Sequence, residues 1–139
     1  MKDLQKKFDE YKKKFHSKEG IGEFYERQIR YLYEKNGWRV EPYGILKGKS
    51  DLGRDLICTK KKQVLIIQAK NWSKRKTIHE KHLMQLAGTI LYYIYNKNNF
   101  PKGVFVTTAK LSDRAKDVAK KLNIQHRNIK LDKNFPMIK

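Results

Sequence analysis

Asp55-Leu-Ile-Cys-Thr-Lys-Lys-Lys-Gln-Val-Leu-Ile-Ile-Gln-Ala-Lys70 is the stretch on which the reading of this chain turns. Two apolar runs flank the polar residues 60–63, which predicts a β-hairpin. A turn at Lys61-Lys62, or a four-residue loop over 60–63, makes Asp55 and Gln68 direct opposites. Opposed residues share a face, with Cβ atoms about 4.5–5.5 Å apart. Side chains two apart along a strand share it too, which adds Lys70. The register is the sensitive point. Lys-Lys is not the Asn-Gly or Gly-rich pair that favours tight hairpins. A loop of odd length would move Gln68 to the other face.

Brought together in this way are a carboxylate (Asp55), an amide oxygen (Gln68) and an ammonium (Lys70). Mg²⁺ takes hard oxygen ligands and keeps several waters, so one or two protein oxygens plus substrate phosphate suffice. The backbone carbonyl of Ala69 offers a third oxygen. A metal held there polarises phosphate and acidifies bound water. By spacing alone the cluster is either such a site or a polar strand end with an ordinary salt bridge.

Around the hairpin, helical and extended patterns alternate. Leu4, Phe8, Tyr11 and Phe15 predict a short amphipathic helix over 2–15. Ile21, Phe24, Tyr25, Ile29, Leu32 and Tyr33 predict a second over 20–36, closed by Asn36-Gly37. Residues 38–43 read as a strand near a sheet edge, because of Pro42. Residues 44–54 read as a glycine-rich loop. Residues 77–97 predict a long helix, 104–108 a strand, Ser112 the cap of another helix, and 128–131 a last strand. One hairpin face carries Asp55, Ile57, Thr59, Val64, Ile66, Gln68 and Lys70. The other carries Leu56, Cys58, Leu65, Ile67 and Ala69. Both are largely apolar, so the sheet should be covered on both sides. The expected class is α/β, a mixed sheet flanked by helices.

The 139 residues suit one domain. Residues 1–18 read as a helical extension and 19–131 as the core. Lys and Arg total 33 against 14 Asp and Glu, a formal net charge of +19. Nucleic acid is the leading partner for so basic a domain, with an anionic membrane surface second. No apolar run approaches the roughly 18 residues of a membrane span. The first residues lack the apolar core of a signal peptide, and the lone Cys58 fits a reducing compartment. A cytoplasmic location is expected.

The order of these motifs resembles the PD-(D/E)xK nuclease superfamily, in the variant with Gln as the second acid. Gly22-Glu-Phe-Tyr-Glu26 is similar to the helix motif of its Mrr-like and resolvase-like members. Asp51-Leu-Gly-Arg-Asp55 resembles the Mrr Asp-x-Gly-x-Asp segment. Lys102-Gly-Val-Phe-Val-Thr-Thr-Ala-Lys-Leu-Ser-Asp-Arg-Ala115 resembles the late strand–helix unit of that group. The resemblance implies a restriction-endonuclease-like core, αβββαβ plus an extra helix and strand. It implies an endodeoxyribonuclease that uses Mg²⁺, with Mn²⁺ as a substitute. Asp55, Gln68, Lys70 and Glu26 match its catalytic positions. Asp55, Gln68 and the Ala69 carbonyl match the metal ligands, with Glu26 a further candidate. Arg54 stands where a Pro is common, and the neutral Gln68 leaves one fewer negative ligand.

For DNA contact the candidates are Lys47, Lys49, Ser50, Arg54, Trp72, Lys74, Arg75 and Lys76. Trp72 reads either as a stacking platform for an opened base or as a ring packed under the sheet edge. Gly44-Ile-Leu-Lys-Gly48-Lys49-Ser50 has the wrong spacing for a phosphate-binding P-loop. His79-Glu80-Lys81-His82 fits no zinc motif and reads as a solvated or DNA-facing helix start. The expected function is a structure-selective endonuclease resembling Holliday junction resolvases of this fold, homodimeric, in recombination and repair. The alternatives are an Mrr-like restriction endonuclease domain and an inactive DNA-binding module.

Overall fold

The computed structural model describes residues 18–42, 54–72, 76–97 and 100–132, with the side chains of 18–21, 23, 54, 55 and 96 not included. The expected helix over 2–15 and the loop over 44–53 lie outside them. So do Lys47, Lys49, Ser50, Asp51, Lys74 and Arg75.

Helix α1 (Lys18–Lys35) opens the described chain. It ends as Asn36-Gly37 predicts. Gly37 takes φ 92°, and its N–H donates to the Glu34 carbonyl at 3.0 Å. The Trp38 N–H donates to the Tyr33 carbonyl at 3.1 Å. This is the two-bond Schellman closure, in which a left-handed residue lets the chain reverse. The accompanying apolar contact is Trp38 edge-on to Tyr33, with centroids 6.5 Å apart.

Strands β1 (Arg39–Pro42), β2 (Arg54–Lys60) and β3 (Gln63–Lys70) follow. Next come β4 (Thr77–Ile78), α2 (Glu80–Lys97), β5 (Lys102–Thr107), β6 (Lys110–Leu111), α3 (Asp113–Lys121) and β7 (Gln125–Asn128). The main sheet has five strands in the order β1-β2-β3-β5-β7. The first three are antiparallel; β3, β5 and β7 run parallel. The hairpin turns at Lys61-Lys62, since Lys60 pairs with Gln63. Lys61 adopts φ 56°, the left-handed conformation that the missing Asn or Gly would have favoured.

Both sheet faces are covered, as the two apolar hairpin faces require. Tyr25, Ile29 and Tyr33 of α1 pack on Leu56, Cys58, Ile67, Ala69, Val104 and Val106. On the other side, Leu83, Leu86 and Tyr93 of α2 and Ala115 and Ala119 of α3 pack on Val64, Ile66 and Phe105. The Cys58 thiol is pushed up to about 12, first by burial and then by Glu34. It is a core side chain and not a reactive thiol.

Most boundaries fall within one or two residues of the sequence reading, the 104–108 strand being observed over 102–107, and two differ by more. The helix expected from 77 starts at Glu80, because Thr77 and Ile78 pair in parallel with Lys110 and Leu111 as a second, two-stranded sheet. The last strand is 125–128, not 128–131. It follows a second Schellman closure, with Asn123 at φ 56° and the Ile124 N–H on the Ala119 carbonyl at 2.8 Å. Ile129 and Leu131, read from sequence as strand residues, pack instead against the α1-side core. No described helix is long and apolar enough to cross a membrane.

Candidate active site

Asp55 and Gln68 are paired in the β2–β3 register, as the hairpin spacing requires. Arg54 pairs with Ala69 one step further on. Gln68 and Lys70 are both buried, at 1% and 4% exposure. They share the α2-facing side with Ile66, while Ala69 points its methyl into the α1-side core. In the parallel register Gln68 lies beside Phe105, Lys70 beside Thr107, and Thr107 beside Asn128. The polar residues therefore gather at the carboxyl ends of β3, β5 and β7. Open α/β sheets bind ligands at that edge.

The backbone at this edge is tied down residue by residue. The Thr108 N–H donates to the Lys70 carbonyl at 3.4 Å. Its Oγ1 accepts from the Trp72 N–H at 2.9 Å and shares its proton between the Trp72 carbonyl (2.8 Å) and Asn71 Oδ1 (3.0 Å). Thr107 Oγ1 accepts from the Ala109 N–H, and Asn128 Nδ2 donates to the Ala109 carbonyl. One hydroxyl, Thr108, thus fixes where the chain goes after Lys70. No sequence signal distinguished it from its neighbours.

Glu26 is half-buried on α1, in the layer opposite Gln68 and Lys70, and has an interacting partner. Its helix is held at a fixed height by side chains on either side of it. The Tyr25 hydroxyl donates to the Ile129 carbonyl at 2.7 Å. Buried Gln28 donates to the Lys130 carbonyl at 2.8 Å and accepts from the Asp132 N–H at 2.9 Å. Burial raises the Tyr25 phenol far above its ordinary value, so it stays a donor.

Trp72 is half-buried and packs against the α2-side core. Lys70 Nζ lies 4.3 Å from its ring centre, and Lys76 Nζ 5.2 Å. His82 meets the ring edge-on, with centroids 4.7 Å apart. The His79-to-His82 segment is therefore not a solvated helix start at its second histidine. His82 is 4% exposed, and its Nδ1 accepts from the His79 N–H at 3.1 Å. That is the reach-back half of a capping box, three residues into the helix. Burial, then the charge of Lys70, lowers the His82 pKa to about 4, so the ring is neutral. The i, i+3 spacing was visible in the sequence, but its capping use was not.

The donor chemistry at the edge suits a hard divalent cation. The Asp55 position, the Gln68 amide oxygen and the Ala69 carbonyl are all oxygen donors, and Gln68 Oε1 is shielded from solvent. Among the described residues, no three His, Cys, Asp or Glu side chains converge in a way that would hold a metal. Of the residues proposed for DNA contact, Trp72 and Lys76 are described; Arg54 is placed only by its backbone in β2.

Several solved structures share this fold. A protein of unknown function matches with a TM-score of 0.60 at 18% identity, covering 74% of this chain and 55% of that one. EndoMS in its apo form gives 0.58 at 13% identity, covering 78% and 47%. A repair endonuclease from Pyrococcus abyssi gives 0.55 at 14% identity, covering 77% and 47%. The chain spans about half the length of these proteins. No curated protein matches its sequence. The Mrr_cat family model, described as restriction endonuclease, matches residues 18–132, which include both layers, the hairpin and the polar strand edge. The chain belongs to that restriction endonuclease family.

Proposed function

We propose that this domain is a metal-dependent endonuclease that hydrolyses DNA in a structure-selective way, with four-way Holliday junctions as its substrate. The observation that carries the reading is the β2–β3 register. It sets Asp55 opposite Gln68 and leaves buried Lys70 beside them at the carboxyl edge of the parallel strands. Asp55, Gln68 and the Ala69 carbonyl would hold Mg²⁺, or Mn²⁺ in its place, and Glu26, from the α1 layer, would offset the neutral Gln68 through water. The bound ion supplies water acidification and charge neutralisation. The Lys70 ammonium stabilises the negative charge that builds on the phosphoryl oxygens. One phosphorus–oxygen ester bond breaks as the water oxygen bonds to phosphorus, and the proton that the water loses is balanced by the one the leaving alkoxide takes up.

The net charge of +19 suits a substrate with several duplex arms. Among the fold relatives, one is a repair endonuclease and EndoMS is also seen with double-stranded DNA. A homodimer places two sites on two strands. The outward face of α2 supports this: Met84, Leu91, Tyr92 and Tyr95 are exposed, and residues 82–96 include no Asp, Glu, Lys or Arg. In so charged a chain, that face is where two copies repel least. The family match favours a second reading, cleavage of linear duplex as an Mrr-type restriction domain.

Incubation with Mg²⁺ and labelled four-way junction, linear duplex or single strand separates these. Paired symmetric nicks near the crossover are expected. Cutting of linear duplex without junction preference would move the assignment to the second reading. Tight binding with no cutting in Mg²⁺ or Mn²⁺ would remove the enzymatic one.

A further inference from the structure

Trp72 lies two residues beyond Lys70 and is anchored from three sides. Thr108 holds its backbone at both N–H and carbonyl. His82 meets its ring at an interplanar angle of 85°, and that imidazole is itself pinned by the helix cap at His79. The ring centre is 4.3 Å from Lys70 Nζ. Lys70 is 4% exposed, so its ammonium has given up most of its water. An aromatic face attracts a cation through its quadrupole, and does so more strongly once the cation is desolvated.

We propose that Trp72 is a positioning residue for Lys70. Its ring fixes the ammonium at the strand edge, and its anchors are His82 at the start of α2 and Thr108 after β5. The ring is then committed inside the protein rather than offered to a DNA base. The three elements β3, α2 and β5 converge on one charge. Lys76 Nζ also faces this ring but stands farther from its centre, at 5.2 Å. The inference rests on the nuclease reading for its consequence but not for its geometry.

The test uses Trp72→Leu and Trp72→Phe in the full chain, with melting temperatures measured so that assays run on folded protein. Two readouts are taken. The first is the split of cleavage into kcat and KM on the preferred DNA. Trp72→Leu should lower kcat about 10- to 100-fold, the scale of a misplaced reacting group. KM should stay within about twofold. Trp72→Phe should recover much of the rate, since a phenyl ring keeps an aromatic face. The second readout needs no activity. The Lys70 ε-methylene protons, assigned by comparison with Lys70→Arg, should show a ring-current shift in NMR that disappears in Trp72→Leu.

An unchanged ε-methylene shift in Trp72→Leu would overturn the proposal. So would equal rates for the Phe and Leu variants. Weakened DNA binding with normal kcat would make Trp72 a stacking residue instead. A wild-type protein that cuts no DNA would sink the nuclease reading alone, and the NMR comparison would still decide whether Trp72 holds Lys70.

Discussion

Asp55 and Gln68 are direct cross-strand partners, and Lys70 follows two residues on along the same face. The pair combines a position for a carboxylate with a neutral amide. Gln68→Glu adds a second negative ligand at the same length. It should tighten Mn²⁺ binding by about tenfold, or ~1.4 kcal/mol. Isothermal titration in the absence of DNA checks this. Gln68→Leu should weaken binding in the same titration, and equal affinity in all three proteins would take Gln68 out of the ligand set.

Acid should destabilise the fold through His82. Its folded pKa is about 4, against 6.5 for the free side chain, so the unfolded chain binds the proton more readily. The stabilisation is fully present above about pH 6.5 and is lost as pH falls towards 4, by at most ~3 kcal/mol. Protonation there meets Lys70, Lys81 and His79, with Lys76 on the same Trp72 ring. His126 is lowered too, by burial and Lys116, and adds in the same direction. Urea titrations between pH 7 and 4 should show the slope, and His82→Gln should flatten part of it. An identical slope in that variant would contradict the assignment.

The uncharged face of α2 gives a separate prediction. Leu91 and Tyr95 are 67% and 91% exposed. Leu91→Glu combined with Tyr95→Glu should convert a dimer to a monomer in sedimentation experiments, with little effect on melting temperature. Surface changes of this kind usually cost within about 0.5 kcal/mol. A wild-type protein that sediments as a monomer at all concentrations would remove the homodimer.

The elements that could be read from the sequence are those with strong local chemistry. Period-2 alternation in 55–60 and 63–70 gave both faces of the hairpin, because each face is buried against a different layer. Gly37 marked the end of α1 because a left-handed residue was required there. Gln125-His-Arg-Asn128 was not legible as a strand. It is a mostly exposed edge strand of polar residues, held by pairing with β5 and not by its own propensity. Thr77-Ile78 and Lys110-Leu111 are too short to show any period, and only their mutual pairing makes them strands. At the site, the Asp55–Gln68 register could be foreseen because a two-residue turn preserves it. Trp72 could be flagged but not placed, since its partners come from residues 82 and 108, far along the chain. Thr108 acts through hydrogen bonds to residues 71 and 72, far back along the chain, so nothing local pointed to it, whereas the spacing of His79 and His82 was visible and its capping use was not.

The most direct test is Lys70→Ala, measured for both DNA cleavage and DNA binding with Mg²⁺ present. Lys70 is one of 33 basic residues, and phosphate neutralisation is spread over many of them. Cutting should fall by at least about 100-fold, the scale of one lost charge-stabilising group, while affinity for the same DNA changes by less than about threefold. Undiminished cutting by Lys70→Ala would contradict the proposed site.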